Sequence, residues 1–138
     1  KIVKNLDLDL IQLHGDETPD YCSKLKGETK KQIIKAFRIK EKEDIKKIKD
    51  YDADYLMFDA NKEGMFGGTG RTFDWKIVKA INKPFFLSGG LNPKNVKEAI
   101  RTAKPYAVDA ASGVETNLRK KDYKKMEMFI GNAKSDLK

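Results

Sequence analysis

The chain has 138 residues, enough for one domain with a buried core, and its 29 Lys and Arg against 21 Asp and Glu give a formal net charge of +8. The basic residues are spread over many segments, without the clustered basic and aromatic residues of a nucleic-acid-binding surface, so we expect no nucleic-acid partner. One cysteine and one histidine exclude a disulfide framework and argue against a metal site. We find no bilayer-length apolar run and no segment resembling a signal peptide, and therefore expect a cytoplasmic protein without a membrane partner.

Short apolar runs alternate along the chain with longer amphipathic segments. The predicted strands are residues 8–13, 33–37, 55–58, 84–87 and 106–109. The predicted helices are residues 18–25, 41–49, 73–81, a segment capped at 92–93 that reaches 103, and one from about 122 onward. About five βα units in succession predict a parallel α/β fold, present as one domain over residues 1–138.

The residues able to do chemistry come directly after strands: His14, Asp59, Ser88 and Asp109. Turns rich in small residues follow the last two strands, where (β/α)8 barrels commonly bind phosphate. Both features favour the (β/α)8 TIM-barrel type over an open sheet. A complete barrel has eight units, so we expect a partial barrel whose sequence begins mid-fold.

Two of these turns predict a phosphate-binding site. Glycines without Cβ atoms let backbone N–H groups approach an anion, and the N-terminus of the following helix adds a positive dipole. Either turn alone is also typical of an ordinary strand-to-helix connection, but two after consecutive strands favour a shared site. The predicted substrate- and phosphate-binding residues are Ser88, Gly89, Gly90, Asp109, Ala111, Ser112 and Gly113.

Asp59 ends an apolar run and precedes a glycine-rich loop. A carboxylate at a strand end, beside a loop that can fold over it, is how α/β enzymes build acid–base sites. The alternative is a turn-forming or helix-capping aspartate. The loop, as a mobile lid or a tolerated surface loop, comprises Gly67, Gly68, Thr69, Gly70 and Arg71.

Two further residues are candidates for lining the site. His14 follows a strand and is expected to face the same mouth, or else to be a solvated turn residue. Lys35 lies within a strand and points into the barrel interior, or else extends from a half-exposed strand to solvent. Neither is assigned a catalytic role from the sequence.

Six segments occur in an order that resembles the phosphoribosylanthranilate isomerase family. They are residues 12–17 (Gln-Leu-His-Gly-Asp-Glu), 34–36, 58–59, 67–70 with 73–75 (Phe-Asp-Trp), 87–93 (Leu-Ser-Gly-Gly-Leu-Asn-Pro) and 108–115. Together they are similar to the C-terminal two-thirds of this (β/α)8 enzyme of tryptophan biosynthesis. The resemblance covers essentially the whole chain.

The resemblance implies an Amadori rearrangement of N-(5′-phosphoribosyl)anthranilate, a phosphorylated small-molecule substrate, without metal or cofactor. It implies that Asp59 is the general acid. The family's general base, a cysteine in a Cys-Gly-Ile motif, and its anthranilate-binding arginine have no counterpart here, and Cys22 matches nothing in the family pattern. Ala111 stands where the family often has serine. We therefore expect the chain alone to lack isomerase activity.

Two alternatives remain open at this point. One is another phosphate-binding barrel enzyme, such as indole-glycerol-phosphate synthase, although the Phe-Asp-Trp segment counts against it. The other is a non-catalytic partial barrel that binds phosphate. Unpaired edges at the first and last strands are expected to promote self-association, or pairing with a complementing N-terminal fragment.

Overall fold

The computed structural model describes residues 2–60 and 73–135, in which five strands form one parallel sheet. The strands are β1 (Leu10–Leu13), β2 (Gln32–Ile39), β3 (Tyr55–Ala60), β4 (Phe85–Leu87) and β5 (Ala107–Val108). Neighbouring strands follow one another in chain order, and every pairing is parallel. The predicted parallel α/β architecture of five units is confirmed.

The α-helices in the described ranges are α1 (Ile2–Leu6), α2 (Pro19–Thr29), α3 (Val96–Ala103) and α4 (Tyr123–Lys134). Helix α2 begins as expected: the Thr18 side chain accepts a hydrogen bond from the Tyr21 N–H, and Pro19 occupies the first turn. It runs past the predicted end at residue 25 because the chain leaves the helix only at Lys30, in the left-handed conformation with φ 56°. Asp122 caps α4 through the Lys125 N–H.

The helices predicted at residues 41–49 and 73–81 are present as 3-10 helices, Lys42–Asp50 and Trp75–Val78, and the second is shorter than predicted. The second is held by three-residue hydrogen bonds, from the Ile77 N–H to the Asp74 carbonyl and from the Ile81 N–H to the Val78 carbonyl. Its β-branched residues Ile77 and Val78 have a low α-helix propensity. Both segments still connect successive strands over the same face of the sheet.

A two-stranded antiparallel sheet was not predicted. It pairs β6 (Glu115–Asn117) with β7 (Lys120–Lys121), and it follows a short 3-10 helix at Ser112–Val114. Its strands are polar and mostly exposed, so they lack the apolar alternation that marks a strand in a sequence. The Asp122 N–H donates to the Val114 carbonyl at 2.8 Å and closes the hairpin.

The two faces of the five-stranded sheet pack separately. The face covered by helices carries Ile33, Leu56, Phe58 and Leu87, each at most 1% exposed, and burial of such a side chain contributes about 1.5–3 kcal/mol. The opposite face carries a smaller cluster of buried residues, Ile34, Ala36 and Met57. Side chains alternate along a strand, so residue 59 shares the face of Met57.

Within the described residues, no helix is long and apolar enough to cross a membrane.

Candidate active site

The carboxyl ends of the parallel strands meet at one edge of the sheet, and the candidate residues lie there. His14 follows β1, Asp59 lies near the end of β3, Ser88 follows β4 and Asp109 follows β5. Three hydrogen bonds tie this edge together. The Ser88 N–H donates to the Phe58 carbonyl at 2.8 Å, and the Asp109 N–H donates to the Leu87 carbonyl at 2.9 Å. The Ser88 hydroxyl donates to Asp109 Oδ2 at 3.2 Å.

His14 and Asp59 face each other across this edge. Nε2 of His14 lies 3.5 Å from Oδ2 of Asp59, and the two side chains are 39% and 29% exposed. Nδ1 of His14 lies 3.1 Å from Nε2 of Gln12. With the Gln12 amide nitrogen as donor, Nδ1 is the acceptor and the neutral imidazole carries its proton on Nε2, the nitrogen nearer to Asp59. The sequence could not show this contact, because β1 and β3 are separated by β2.

Arg38 is a residue that the sequence analysis missed. On β2 it is the register partner of Asp59, as Ala36 is of Met57. The side chains of Arg38 and Asp59 therefore leave the same face of the sheet. Arg38 is exposed. The sequence did indicate this position. Residues separated by an even number of positions along a strand share one face of the sheet, and Arg38 is so separated from Ile34 and Ala36, which lie in the small cluster on that face.

The first phosphate-binding turn requires its glycines. Gly89 and Gly90 have φ of 84° and 72°, in the left-handed region where side chains are strained. The Gly90 carbonyl is turned toward the start of α3, where it accepts hydrogen bonds from the side-chain amides of Asn92 at 3.2 Å and Asn95 at 3.0 Å. The main-chain N–H groups of the two glycines donate to no residue that the structure describes.

The second turn lies directly against the first. Gly113 approaches the backbone of Leu91 so closely that no Cβ would fit between them. Lys121 Nζ donates to the Ala111 carbonyl at 2.8 Å and to Glu115 Oε1 at 2.7 Å, which ties the turn to β7. The structure therefore brings all seven predicted phosphate-site residues into two adjoining turns. Ala111, with no hydroxyl, can contribute only its backbone.

Lys35 lies elsewhere. It pairs in register with Leu13 and Leu56, which belong to the cluster covered by the helices, so it does not share the face of Asp59. Its side chain is 3% exposed, and its ammonium is hydrogen-bonded to the turn after β1. Neither sequence interpretation, pointing into the barrel interior or reaching solvent, describes this position.

The glycine-rich loop at residues 67–71 lies outside the described residues. Cys22 is fully buried in α2, and burial, as the main cause, raises the pKa of its thiol. In the part of the chain that the structure describes, no three His, Cys, Asp or Glu side chains are grouped so that they could hold a metal ion.

Comparison with known proteins identifies relatives along nearly the whole chain. The sequence model of N-(5′-phosphoribosyl)anthranilate (PRA) isomerase matches residues 1–132. The N-(5′-phosphoribosyl)anthranilate isomerase of Thermoanaerobacter sp. (strain X514) is 49% identical over 132 residues, which cover 94% of this chain and 63% of the relative. That of Aquifex aeolicus (strain VF5) is 47% identical, over 93% of this chain and 62% of the relative. The chain thus spans less than two thirds of the length of these relatives.

Solved structures agree with this match. The crystal structure of phosphoribosyl anthranilate isomerase from Thermotoga maritima superposes with a TM-score of 0.86 at 36% identity, over 97% of this chain and 65% of that one. A phosphoribosyl anthranilate isomerase in complex with reduced 1-(o-carboxyphenylamino)-1-deoxyribulose 5-phosphate has a TM-score of 0.80 at 33% identity, over 97% of this chain and 63% of that one. The (β/α)8 TIM-barrel type expected from the sequence is confirmed. The chain belongs to the N-(5′-phosphoribosyl)anthranilate isomerase family.

Proposed function

We propose that the chain carries the acid and phosphate-binding parts of a phosphoribosylanthranilate isomerase site, in which Asp59 is the general acid. The reaction is the Amadori rearrangement of N-(5′-phosphoribosyl)anthranilate to 1-(2-carboxyphenylamino)-1-deoxyribulose 5-phosphate. The observation that carries the proposal is the position of Asp59, 3.5 Å from His14 at the same sheet edge as the two glycine turns. Family membership supports it independently.

The chemistry assigns Asp59 one proton transfer. Protonated Asp59 gives its proton to the ring oxygen of the ribose, the bond from that oxygen to C1′ breaks, and the nitrogen lone pair forms a C1′=N double bond. Asp59 is then an anion, and Nε2 of His14 lies 3.5 Å from its Oδ2, where an N–H would stabilise that charge. A base next removes the C2′ proton, and the resulting enol rearranges to the ketone.

The base is the missing element of this proposal. The 138 residues contain no Cys-Gly-Ile segment, and Cys22 is their only cysteine. Cys22 is 0% exposed within α2, so its thiol cannot contact a substrate at the sheet edge. We therefore expect no turnover by the chain alone in a coupled tryptophan-pathway assay. Full activity of the purified chain would show that a base is present after all.

The two glycine turns are proposed to hold the 5′-phosphate. Support comes from the paired left-handed glycines, whose N–H groups have no acceptor among the described residues, and from the N-terminus of α3 beside them. The backbone of Ser112 and Gly113 completes the cradle from the adjoining turn. A net charge of +8 assists the approach of an anionic substrate.

Calorimetric titration with the reduced product analogue tests the proposal. The wild-type chain should bind it, and Gly90→Ala should weaken binding by about tenfold or more, because a Cβ strains the turn and misdirects N–H donors to a charged group. Gly131→Ala, an open position in α4, is the matched control and should bind normally. Asp59→Asn should retain binding, because the phosphate anchors the ligand.

Three results would count against the assignment. If the wild-type chain does not bind the analogue but binds indole-glycerol phosphate, the result would favour the alternative barrel enzyme. Binding of inorganic phosphate with no preference for the analogue would favour a non-catalytic phosphate-binding barrel. Equal binding by Gly90→Ala and wild type would remove the first turn from the phosphate site.

Self-association, or pairing with a complementing N-terminal fragment, is a second proposal. Among the described strands, β1 and β5 each pair on one side only, and such edges recruit further strands. Leu10 on β1 is 38% exposed and Tyr106, just before β5, is 65% exposed. Light scattering after size-exclusion chromatography should show oligomers. A sharp monomer peak with cooperative unfolding would contradict this.

We also propose the extent of the domain and the cellular location of the protein. We place residues 1–138 in a single domain, equivalent to the C-terminal portion of a complete barrel. A cytoplasmic location is supported by the single cysteine, which leaves no pair for a disulfide. Fractionation of the source cells would test it, and recovery in a membrane fraction would count against it.

A further inference from the structure

Lys35 is a buried cation that the proposed chemistry does not use. Its side chain is 3% exposed, and Nζ lies 5.6 Å from the centroid of the Phe37 ring and 5.8 Å from that of Tyr51. Removing an ammonium from water is costly unless its donors are satisfied. Two of its three donors are satisfied here, since Nζ donates to the Gly15 carbonyl at 2.7 Å and to Glu17 Oε2 at 2.8 Å. The ion pair is thus built into the turn after β1.

The Lys35–Glu17 ion pair is hydrogen-bonded to both the N–H and the carbonyl of Gly15. The Gly15 N–H donates to the Glu17 carboxylate, at 3.2 Å from Oε1 and 3.0 Å from Oε2, while its carbonyl accepts from Lys35. A third side chain fixes the turn, since the Tyr51 hydroxyl donates to the Glu17 carbonyl at 3.1 Å. Residues 15–17 are therefore anchored to β2 and to the segment before β3.

His14 is the residue between this anchored turn and the end of the sheet. The β1–β2 ladder ends at the pair Leu13 and Lys35, so residue 14 lies beyond the last ladder position. Its ring nevertheless meets Asp59 on β3, a strand that does not pair with β1. Ladder hydrogen bonds cannot set that distance. The anchored Gly15 peptide, one residue away, can.

We propose that Lys35 and Glu17 are positioning residues, which fix the Gly15 peptide and thereby hold the His14 imidazole against Asp59. The inference rests on the proposed role of Asp59 as general acid, whose anion His14 faces. Lys35 acts from the helix-covered face of the sheet and never touches the substrate. Its buried charge therefore affects the distance between His14 and Asp59, although Asp59 lies on the opposite face.

The ion pair persists through neutral pH. Burial alone would raise the pKa of the Glu17 carboxyl, but the hydrogen bond from Lys35 and those from main-chain N–H groups outweigh it and hold the pKa below its ordinary value. Glu17 is therefore ionised wherever the enzyme would work, and the Gly15 N–H keeps its acceptor.

The test uses the fact that His14 is the only histidine of the chain. Its imidazole nitrogens can be observed directly by ¹⁵N NMR of the full 138-residue chain, and their shifts distinguish the Nδ1–H from the Nε2–H tautomer. In the wild type we expect the Nε2–H form, because Gln12 donates to Nδ1. In K35M/E17Q we expect the tautomer ratio to move toward that of the urea-unfolded chain, measured in the same way as a reference.

Lys26→Met is the matched control. Lys26 also makes ion pairs, with Asp52 Oδ1 at 2.8 Å and Asp54 Oδ1 at 2.9 Å, at the opposite end of the strands. It should leave the His14 signals unchanged. Equal changes in Lys26→Met and K35M/E17Q would mean general loosening and would overturn the inference. Wild-type His14 signals in folded K35M/E17Q would overturn it too.

A second variant keeps the inference testable if K35M/E17Q does not fold. Glu17→Gln alone keeps Lys35 on the Gly15 carbonyl but weakens the acceptor of the Gly15 N–H, and should shift the His14 signals part of the way. Unchanged signals there would again contradict the proposal. The NMR measurement needs no ligand, so absent analogue binding with an intact His14 signature would count against the proposed function and leave this inference standing.

Discussion

Gly113 and Leu91 meet backbone to backbone: a Cβ on Gly113 would overlap the Leu91 carbonyl oxygen and lie 3.0 Å from Asn92 Cβ. This contact joins the turn after β5 to the turn after β4. Main-chain atoms cannot move aside as a flexible side chain can. The shape of the proposed phosphate site therefore depends on the absence of a side chain at residue 113.

Gly113→Ala should destabilise the chain by about 1–3 kcal/mol, the usual cost of overpacking. Urea unfolding followed by circular dichroism measures this. Gly131→Ala is the control, because nothing lies within 4 Å of its Cβ position on α4, and it should stabilise by about 0.5–1 kcal/mol. Equal stability of Gly113→Ala and wild type would mean that the two turns do not touch.

Lys121→Met should weaken binding of the product analogue by about two- to tenfold, because the hydrogen bond to the Ala111 carbonyl is lost together with the Glu115 ion pair. Lys121 holds the Ala111 carbonyl, and releasing it loosens the second turn. Lys120→Met removes the same charge from the adjacent residue, whose side chain is exposed, and serves as the control in calorimetry. Equal losses in both variants would indicate a long-range charge effect instead.

Acid should destabilise the chain partly through Asp54. Burial raises the pKa of this carboxyl, but the hydrogen bonds from the Ile33 N–H, at 2.8 Å, and from Lys26 outweigh it, so the folded-state pKa lies below its ordinary value. A lowered folded-state pKa gives stability that is present above the unfolded pKa, about 3.9, and lost as pH falls through the folded value.

Asp54→Asn tests this dependence, because an amide can still accept from the Ile33 N–H but cannot titrate. The variant should be about 1–3 kcal/mol less stable than wild type at pH 7, since Lys26 loses a charged partner. Its urea midpoint should fall less than that of the wild type between pH 6 and pH 3. Parallel curves would show that other carboxylates, such as Glu17, account for the acid sensitivity.

Cys22 should react with a thiol reagent much more slowly in the folded chain than in urea. The thiol is 0% exposed, and burial raises its pKa, so both access and the thiolate fraction are low. Labelling with a chromogenic disulfide, with and without urea, measures the ratio. Rapid labelling of folded chain would mean that α2 opens readily, or that Cys22 lies nearer the surface.

Much of the fold could be read from the sequence because the strands are short apolar runs punctuated by Gly, Pro and Asn. The 3-10 helices could not be distinguished from α-helices, since the two have similar apolar spacing over a few turns. The β6–β7 hairpin gave no signal because its exposed strands lack an apolar face. Tertiary contacts, such as the closing hydrogen bond between Asp122 and Val114, select it.

The position of Lys35 shows a further limit. The run from Ile33 to Ala36 is buried on both faces of β2, so its composition carries no alternation from which the direction of residue 35 could be read. The face on which Lys35 lies is set by its register with Leu13 and Leu56, and this register exists only once the strands pair.

The sequence by itself determined that Asp59 ends a strand, that Gly89 and Gly90 follow the next one, and that parallel strands bring them to one edge. These are local properties of apolar runs and of residues without a Cβ. Only the tertiary structure decided that His14 lies 3.5 Å from Asp59 and that Lys35 and Glu17 hold the turn beside it. Such contacts join residues that are far apart along the chain, and they exist only once the strands and the turns after them have come together.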